Sequence, residues 1–437
     1  MTNLFRFFAL IFVALGAMAL SCHTYSTQPG GVPSNPLNLH AVLVTPNEVQ
    51  IAWSNPAAAN NVYRLVRNGA VLSDSLVVPR SDTAFTYQDS GVVVPSTQYT
   101  YKLYRVLSND SSSLTVTTLP VSRDNYNFTK TSIGLAGTII YSIWGASPQS
   151  IWLVGTFDTL AKTRTPNVLH IQNGVMTYYQ LLGGESFIFY SVYGLSDSDI
   201  YFAGEKILWH WNGSIFDYSV EFYNDSTTTK VDNIGAIWET PTGDLYCGSQ
   251  SGVIVHRKNG VWSQDPVTLP AGYTWDFTSM VGFGGTDLFA SGVDNLGDEG
   301  IVVQNSPTGW STIYQSSIGD SANAIGPITG ICGQSDDSLV IVGYGVFHRN
   351  GSPVWQMWNP PNTQLAYMED VKTLAADNTW ICGDFGLLMH WDGLQWVMFY
   401  NYFNLGSSLV FRHILQLPND VFIVGNDNNG AYLVHGN

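Results

Sequence analysis

Through residues 36–120 apolar and polar positions alternate in short runs: Val49-Gln50-Ile51-Ala52-Trp53, then Tyr63-Arg64-Leu65-Val66 closed by Asn68-Gly69, then Tyr99-Thr100-Tyr101-Lys102-Leu103. Period-two alternation broken by turn residues predicts strands and hairpins at the spacing of a β-sandwich. Beyond residue 121 the chain repeats itself. Each unit has an opening strand, a second strand ending in glycine, a third ending near a histidine and an Asn-Gly or Asp-Gly turn, and a fourth marked by an aromatic residue. One unit runs Ile200-Tyr201-Phe202-Ala203-Gly204, Leu208-Trp209-His210-Trp211-Asn212-Gly213, Phe216; another runs Trp380-Ile381-Cys382-Gly383, Leu388-Met389-His390-Trp391-Asp392-Gly393, Trp396. The second-strand glycine recurs as Gly155, Gly204, Gly248, Gly292, Gly343, Gly383 and Gly425. Four strands per unit at roughly 40 residues is the blade period of a β-propeller. The expected fold is all-β, a sandwich followed by seven blades.

The last unit stops at residues 435–437, where its aromatic fourth strand is due, yet a ring must close to remove its edges. The segment Tyr126-Asn127-Phe128-Thr129-Lys130 has the missing character, with Phe128 in the aromatic slot, and is expected to supply the closing strand at about 126–130. Ahead of the sandwich, residues 1–21 read as an export signal: Arg6, then the apolar run Phe7–Leu20, too short for a membrane span. Residues 22–35, rich in Ser, Thr, Gly and Pro, read as a flexible tether.

Three resemblances follow from these residues. Ala19-Leu20-Ser21-Cys22 resembles the bacterial lipobox, which implies acylation of Cys22 and a stable lipid anchor; an ordinary signal with an incidental cysteine is the alternative. Residues 36–120 resemble a fibronectin type III domain through Trp53, the stretch Val94 to Tyr101 and the closing Leu114 to Pro120, which implies that Tyr99 is a corner tyrosine tied to backbone. No Arg-Gly-Asp tripeptide is present, and spacing or display is the usual role of such a module. Residues 121–437 resemble uncharacterised bacterial surface propellers and, more loosely, photosystem-assembly-factor-like and sensor-kinase periplasmic propellers.

Charge narrows the partners. The 437 residues carry 33 acidic against 17 basic side chains, a formal charge of -16, and no Lys/Arg cluster, which excludes nucleic acid as an expected partner. After Cys22, Cys247, Cys332 and Cys382 remain, and two of them alternate with Val and Ala just before the repeat glycine, as buried packing demands. Six histidines, His170, His210, His256, His348, His390 and His435, share one repeated slot and so belong to the architecture. No sialidase box, nucleophile elbow, phosphate loop or His-Glu-x-x-His motif appears.

Loop lengths point to one face. Connections from first to second strand are tight, whereas those from second to third strand and between blades are long, and these long classes share a face. There the sequence places Phe157, Asp158, Lys162 and Arg164, Phe187, Tyr190, Tyr273, Trp275, Trp358, Tyr367, Tyr400 and Tyr402, side chains suited to stacking on sugar rings or covering a protein patch. The channel slot of the innermost strand reads Ser142, Ser191, Ala236, Ser279, Gly330, Asp370 and His413; the ionisable pair, with Lys372, marks either a site or a buried seam. Asp294, Asp298 and Glu299 form either a calcium loop or a solvated acidic loop, and no other cofactor is expected. The expected function is a non-catalytic module at the cell envelope that binds a glycan or a protein; the alternative is a secreted carbohydrate-active enzyme using the same face.

Overall fold

The computed structural model describes residues 36–437 except 45–48, 56–59, 80–83, 90–92, 95–96, 109, 119–125, 160–164, 182–186, 222–230, 284–286, 295, 297–298, 318–324, 350, 352–353, 359–365, 394, 400–401 and 403–406. Cys22 and the tether lie outside the described residues. The chain divides into two compact units at Pro120/Val121.

In the first unit a three-stranded antiparallel sheet, His40–Val44, Val49–Ser54 and Ala84–Asp89, and a four-stranded one, Ala70–Val78, Asn61–Arg67, Gln98–Arg105 and Ser111–Thr117, share a single core. Alternation explains the burial: Tyr99, Tyr101 and Leu103 point inward while Lys102 and Tyr104 face water. Trp53 lies between Tyr63 and Phe85, with ring centroids 5.6 and 5.0 Å away. The Val94 N–H donates to the Tyr99 hydroxyl at 2.8 Å, the bond a corner tyrosine makes. A polar clasp that the pattern does not announce ties the sheets together. Arg67 Nη1 donates to both oxygens of Asp89 at 2.9 and 2.8 Å, and the Tyr101 hydroxyl donates to the same carboxylate at 2.7 Å, with Asp89 only 4% exposed.

The second unit holds seven sheets among the described residues, numbered I to VII by their innermost strands: Ile139–Ser147, Phe189–Ser196, Ile234–Glu239, Trp275–Phe283, Gly330–Cys332, Met368–Ala375 and Val410–Gln416. Each innermost strand lies beside the next, and that of VII lies beside that of I. A buried apolar cluster fills every gap between neighbours, including Phe422, Val424 and Leu433 of VII against Ile140, Ile143 and Leu153 of I. The fourth strand of VII is Phe128–Ile133, paired antiparallel with Gly430–Gly436 from Gly436↔Phe128 to Ala431↔Ile133. That strand begins and ends later than the expected 126–130, and Asn127 extends its pairing by one step through two backbone bonds with Asn437. Sheet IV has a fifth strand, Val267–Thr268, added parallel to Gly309–Ser317, which the repeat did not foretell.

The repeat signals have physical causes. A Cβ on Gly155 would lie 2.0 Å from the Ile139 carbonyl oxygen, and on Gly383 2.2 Å from that of Tyr367, so no other residue fits without moving the inner strand. In five of the six sheets that carry it the recurring histidine stacks on the second-strand aromatic, as His170 does on Trp152 at 3.8 Å, His390 on Trp380 at 4.3 Å and His435 on Phe422 at 4.1 Å; His348, whose second strand has no aromatic, stacks on Trp358. The ring nitrogen of the repeat histidine bonds a side chain at the tight turn, as His210 does with Asp199 at 2.8 Å and His435 with Asp420 at 2.6 Å. In III, His256 instead bonds Asp265 at 2.5 Å. The Ser263 hydroxyl there is 3.5 and 3.3 Å from the two ring nitrogens at once, hence over the ring face rather than in line with a lone pair, and no nucleophile–base pair forms.

Candidate functional site

Six of the seven innermost strands carry a β-bulge one residue before the channel slot, at Tyr141, Tyr190, Gly235, Thr278, Glu369 and Arg412. A bulge re-aims a side chain without breaking the sheet. Here the extra residue turns toward the next innermost strand on the long-loop face: the Thr278 hydroxyl donates to the Ile328 carbonyl at 3.1 Å, and the Tyr141 ring meets Tyr190 at 5.3 Å. Just past the second-strand glycines stand Glu205, Tyr344, Asp384 and Asn426. Together these positions make a mouth of varied chemistry above a slot of mostly small residues.

At VI and VII the mouth is charged. Arg412 Nε donates to Asn426 Oδ1 at 3.0 Å. Burial pushes the Glu369 carboxyl up to about 7, Arg412 opposing and Asp384 and Asp370 reinforcing the rise. Burial also raises Asp384, again against Arg412. At II, burial raises the Tyr190 hydroxyl, with Glu205 and then Tyr141 adding to it. Tyr367 is half-buried, its ring 4.9 Å from that of the exposed Tyr344.

Asp370, Lys372 and His413 do come together. Asp370 is 2% exposed and accepts from Val371 N–H at 2.8 Å and Lys372 Nζ at 2.6 Å on one oxygen, and from Ile414 N–H at 2.9 Å on the other, which lies 3.4 Å from His413 Nδ1. Burial alone would raise this carboxyl, but Lys372 and then His413 outweigh it and hold it at about 2. The bond to Ile414 spans VI and VII, as Val192 N–H bonds the Ser142 hydroxyl at 3.4 Å across I and II. Asp370 therefore fills the seam position of the repeat with its acceptors occupied, and only Lys372 and His413 keep partial exposure, at 36% and 34%.

Several expected face residues are elsewhere. Trp275 is 1% exposed in the core between III and IV and Phe157 is fully buried, because each flanks an inner strand or a repeat glycine, where an aromatic closes the gap between sheets. Trp358 stacks on His348 at 4.6 Å and packs on Trp391 and Trp396. Phe187 and Tyr402 pack against core clusters. Tyr273 is 38% exposed and donates to Glu299 Oε1 at 2.9 Å, while Gln315 donates to Glu299 Oε2 at 2.6 Å. Asp294 is 2% exposed and accepts from Glu299 N–H at 3.0 Å, folding the loop on itself. Asp298, Lys162, Arg164 and Tyr400 lie outside the described residues. No group of three His, Cys, Asp or Glu side chains able to hold a metal ion occurs among the described residues. Glu369, Asp384, Arg412 and Tyr344 escaped the sequence reading. A signal was present for two of them: Glu369 and Arg412 bring charge to a position, one place before the channel slot, that is uncharged in the other sheets, whereas the position after the glycine, which holds Asp384 and Tyr344, varies from sheet to sheet.

No family model matches the chain, and no curated protein matches its sequence. Solved structures do. YCF48 bound to D1 peptide matches at TM-score 0.52 and 17% identity over 71% of this chain and 97% of that one. A catalytically inactive virginiamycin B lyase from Staphylococcus aureus with quinupristin matches at 0.52 and 13% over 71% and 99%, and the WD40 β-propeller domain of Doa1 at 0.51 and 12% over 72% and 97%. At these identities the likeness is one of fold, and the fold is a β-propeller.

Proposed function

We propose that the chain is a non-catalytic binding module of the bacterial cell envelope, held on the outer membrane or cell surface by a lipid on Cys22, with a fibronectin type III-like sandwich as spacer and a closed seven-bladed propeller that takes a glycan or a protein at its long-loop face. The observation that carries this reading is the gathering of Tyr141, Tyr190, Glu369 and Arg412 at bulges on that face, above a slot where serine, alanine and glycine predominate. Stacking rings, a guanidinium and carboxyls are what a sugar or a peptide needs for recognition. A peptide partner gains support from YCF48, described as bound to a peptide.

A second reading, a carbohydrate-active enzyme, draws on Glu369 beside Asp384, since one carboxyl held near neutral beside another is the pairing of acid and base that glycoside hydrolysis uses. Chromogenic glycosides separate the two. The binding reading expects no turnover by the mature protein; turnover abolished by Glu369→Gln would establish the enzyme instead. The anchor has its own test: Cys22→Ser is expected to release the protein from the membrane fraction and stop incorporation of labelled fatty acid, and labelling that persists in the variant would refute lipidation at Cys22.

A further inference from the structure

The innermost strands share a position facing the preceding sheet, three residues after the channel slot and near the start of the second strand. It reads Gly145, Gly194, Glu239, Gly282, Gly333, Thr373 and Gln416 in I to VII. Glycine is there for a reason: a Cβ on Gly194 would lie 3.1 Å from the Trp144 ring of I, and on Gly282 2.5 Å from the Trp238 ring of III. Glu239 alone puts an ionisable group into this gap, where it faces Tyr193 of II, whose hydroxyl reaches the Glu239 carbonyl at 3.5 Å.

The side chain is sealed in. Glu239 is 2% exposed, and its Oε2 has no hydrogen-bond partner among the described residues. Leu245 lies beside it in the sheet, with Arg257 next in the same row. Among the described residues Arg257 is the one cation acting on it, but its guanidinium donates to the Tyr201 hydroxyl at 2.6 Å and sits over the Tyr201 and Trp262 rings at 5.2 and 5.9 Å. From II, Asp199 opposes a second negative charge and is itself bonded to His210. The remaining titratable neighbours, Tyr193 and Tyr201 of II and Cys247 of III, are all raised, first by burial, and stay neutral.

We propose that Glu239 is a proton-operated latch on the seam between sheets II and III, shut while its carboxyl is neutral and loosened when the carboxyl ionises. A neutral acid fits a gap lined by Leu245 and Tyr193, whereas a carboxylate there gives up most of its hydration and has as its cation Arg257, whose guanidinium is already engaged by Tyr201. Burial first, and Asp199 second, lift the group from 4.5 to about 7 against the pull of Arg257. A carboxyl raised on folding contributes stability that is complete below about pH 4.5 and is lost as pH climbs through about 7. An exported protein that meets acid and neutral surroundings would thus hold this seam tightest in acid.

Hydrogen exchange of the full chain, followed by mass spectrometry and corrected for the intrinsic pH effect, tests the latch. Protection of peptides covering Phe189–Ser196 and Ile234–Glu239 is expected to fall roughly a hundred-fold between pH 5 and 8.5, following the shift in Glu239, while Glu239→Gln makes that protection independent of pH. Glu369→Gln, at the far seam, and Asp276→Asn, on sheet IV and raised by burial to about 6, are expected to leave the fall unchanged, which separates the latch from other raised carboxyls. Should Glu239→Gln fold poorly, Asp199→Asn is the second variant, expected to move the midpoint of the fall downward. Protection at this seam that does not vary with pH in the wild type, or that varies equally in Glu239→Gln, would overturn the proposal.

Discussion

A chain starting at Val121 is expected to give a soluble, heat-stable propeller, and one starting at Gly134 to aggregate. The difference is the strand Phe128–Ile133, whose removal leaves Ala431–Gly436 as an unpaired edge and strips Tyr126 and Phe128 from the gap between VI and VII. Phe128 meets the rings of Phe399 and Tyr402 at 4.9 and 5.8 Å, and Lys130 lies 3.4 Å above the Tyr432 ring, whose hydroxyl bonds Asp427. Because the Phe128 side chain is only half-buried, Phe128→Ala is expected to destabilise by about 2–3 kcal/mol, below the 3–5 kcal/mol typical of a fully buried phenylalanine. Equal solubility and equal melting of the two truncated chains, by light scattering and differential scanning fluorimetry, would rule out closure by this strand.

Asp89→Ala is expected to destabilise the sandwich by about 3–5 kcal/mol, since it strands the half-enclosed Arg67 guanidinium and the Tyr101 hydroxyl without their shared acceptor. The damage should stay local, because the two units have separate cores. Hydrogen exchange reads this directly: Val49–Ser54 and Gln98–Arg105 lose protection in the variant while Ser150–Thr156 keeps it. Loss in both units together, or in neither, would contradict the clasp.

How much of this was legible in the sequence depended on whether a residue served the repeat or departed from it. The repeat glycines could be read because six of the seven abut a backbone carbonyl at or just before an inner strand, and the seventh, Gly248, abuts the Phe277 side chain, so close packing recurs at the same place in each sheet. The histidines could be set aside because a stack on a neighbouring aromatic needs the same spacing each time. Trp275 and Phe157 misled, since a loop aromatic beside a strand end looks the same in sequence whether it faces solvent or fills the gap between two sheets. The bulges were invisible to a period-two reading: one extra residue displaces Glu369 and Arg412 from the alternation, so the side chains that give the mouth its charge fell between the positions compared. Asp89 and Arg67 were missed for another reason. Their partnership spans two sheets and 22 residues, and nothing in local pattern couples them.

The central claim is that one face of the ring does the binding, and a comparison of faces tests it most directly. Mature protein, a mouth variant combining Tyr190→Ala with Arg412→Ala, and Leu195→Ala on the tight-turn face, where Leu195 is 42% exposed, would be applied together to glycan and peptide arrays. The account predicts a bound glycan or peptide whose signal falls at least ten-fold, about 1.4 kcal/mol, in the mouth variant and is unchanged in Leu195→Ala; a signal that survives the mouth variant and disappears with Leu195→Ala would contradict it.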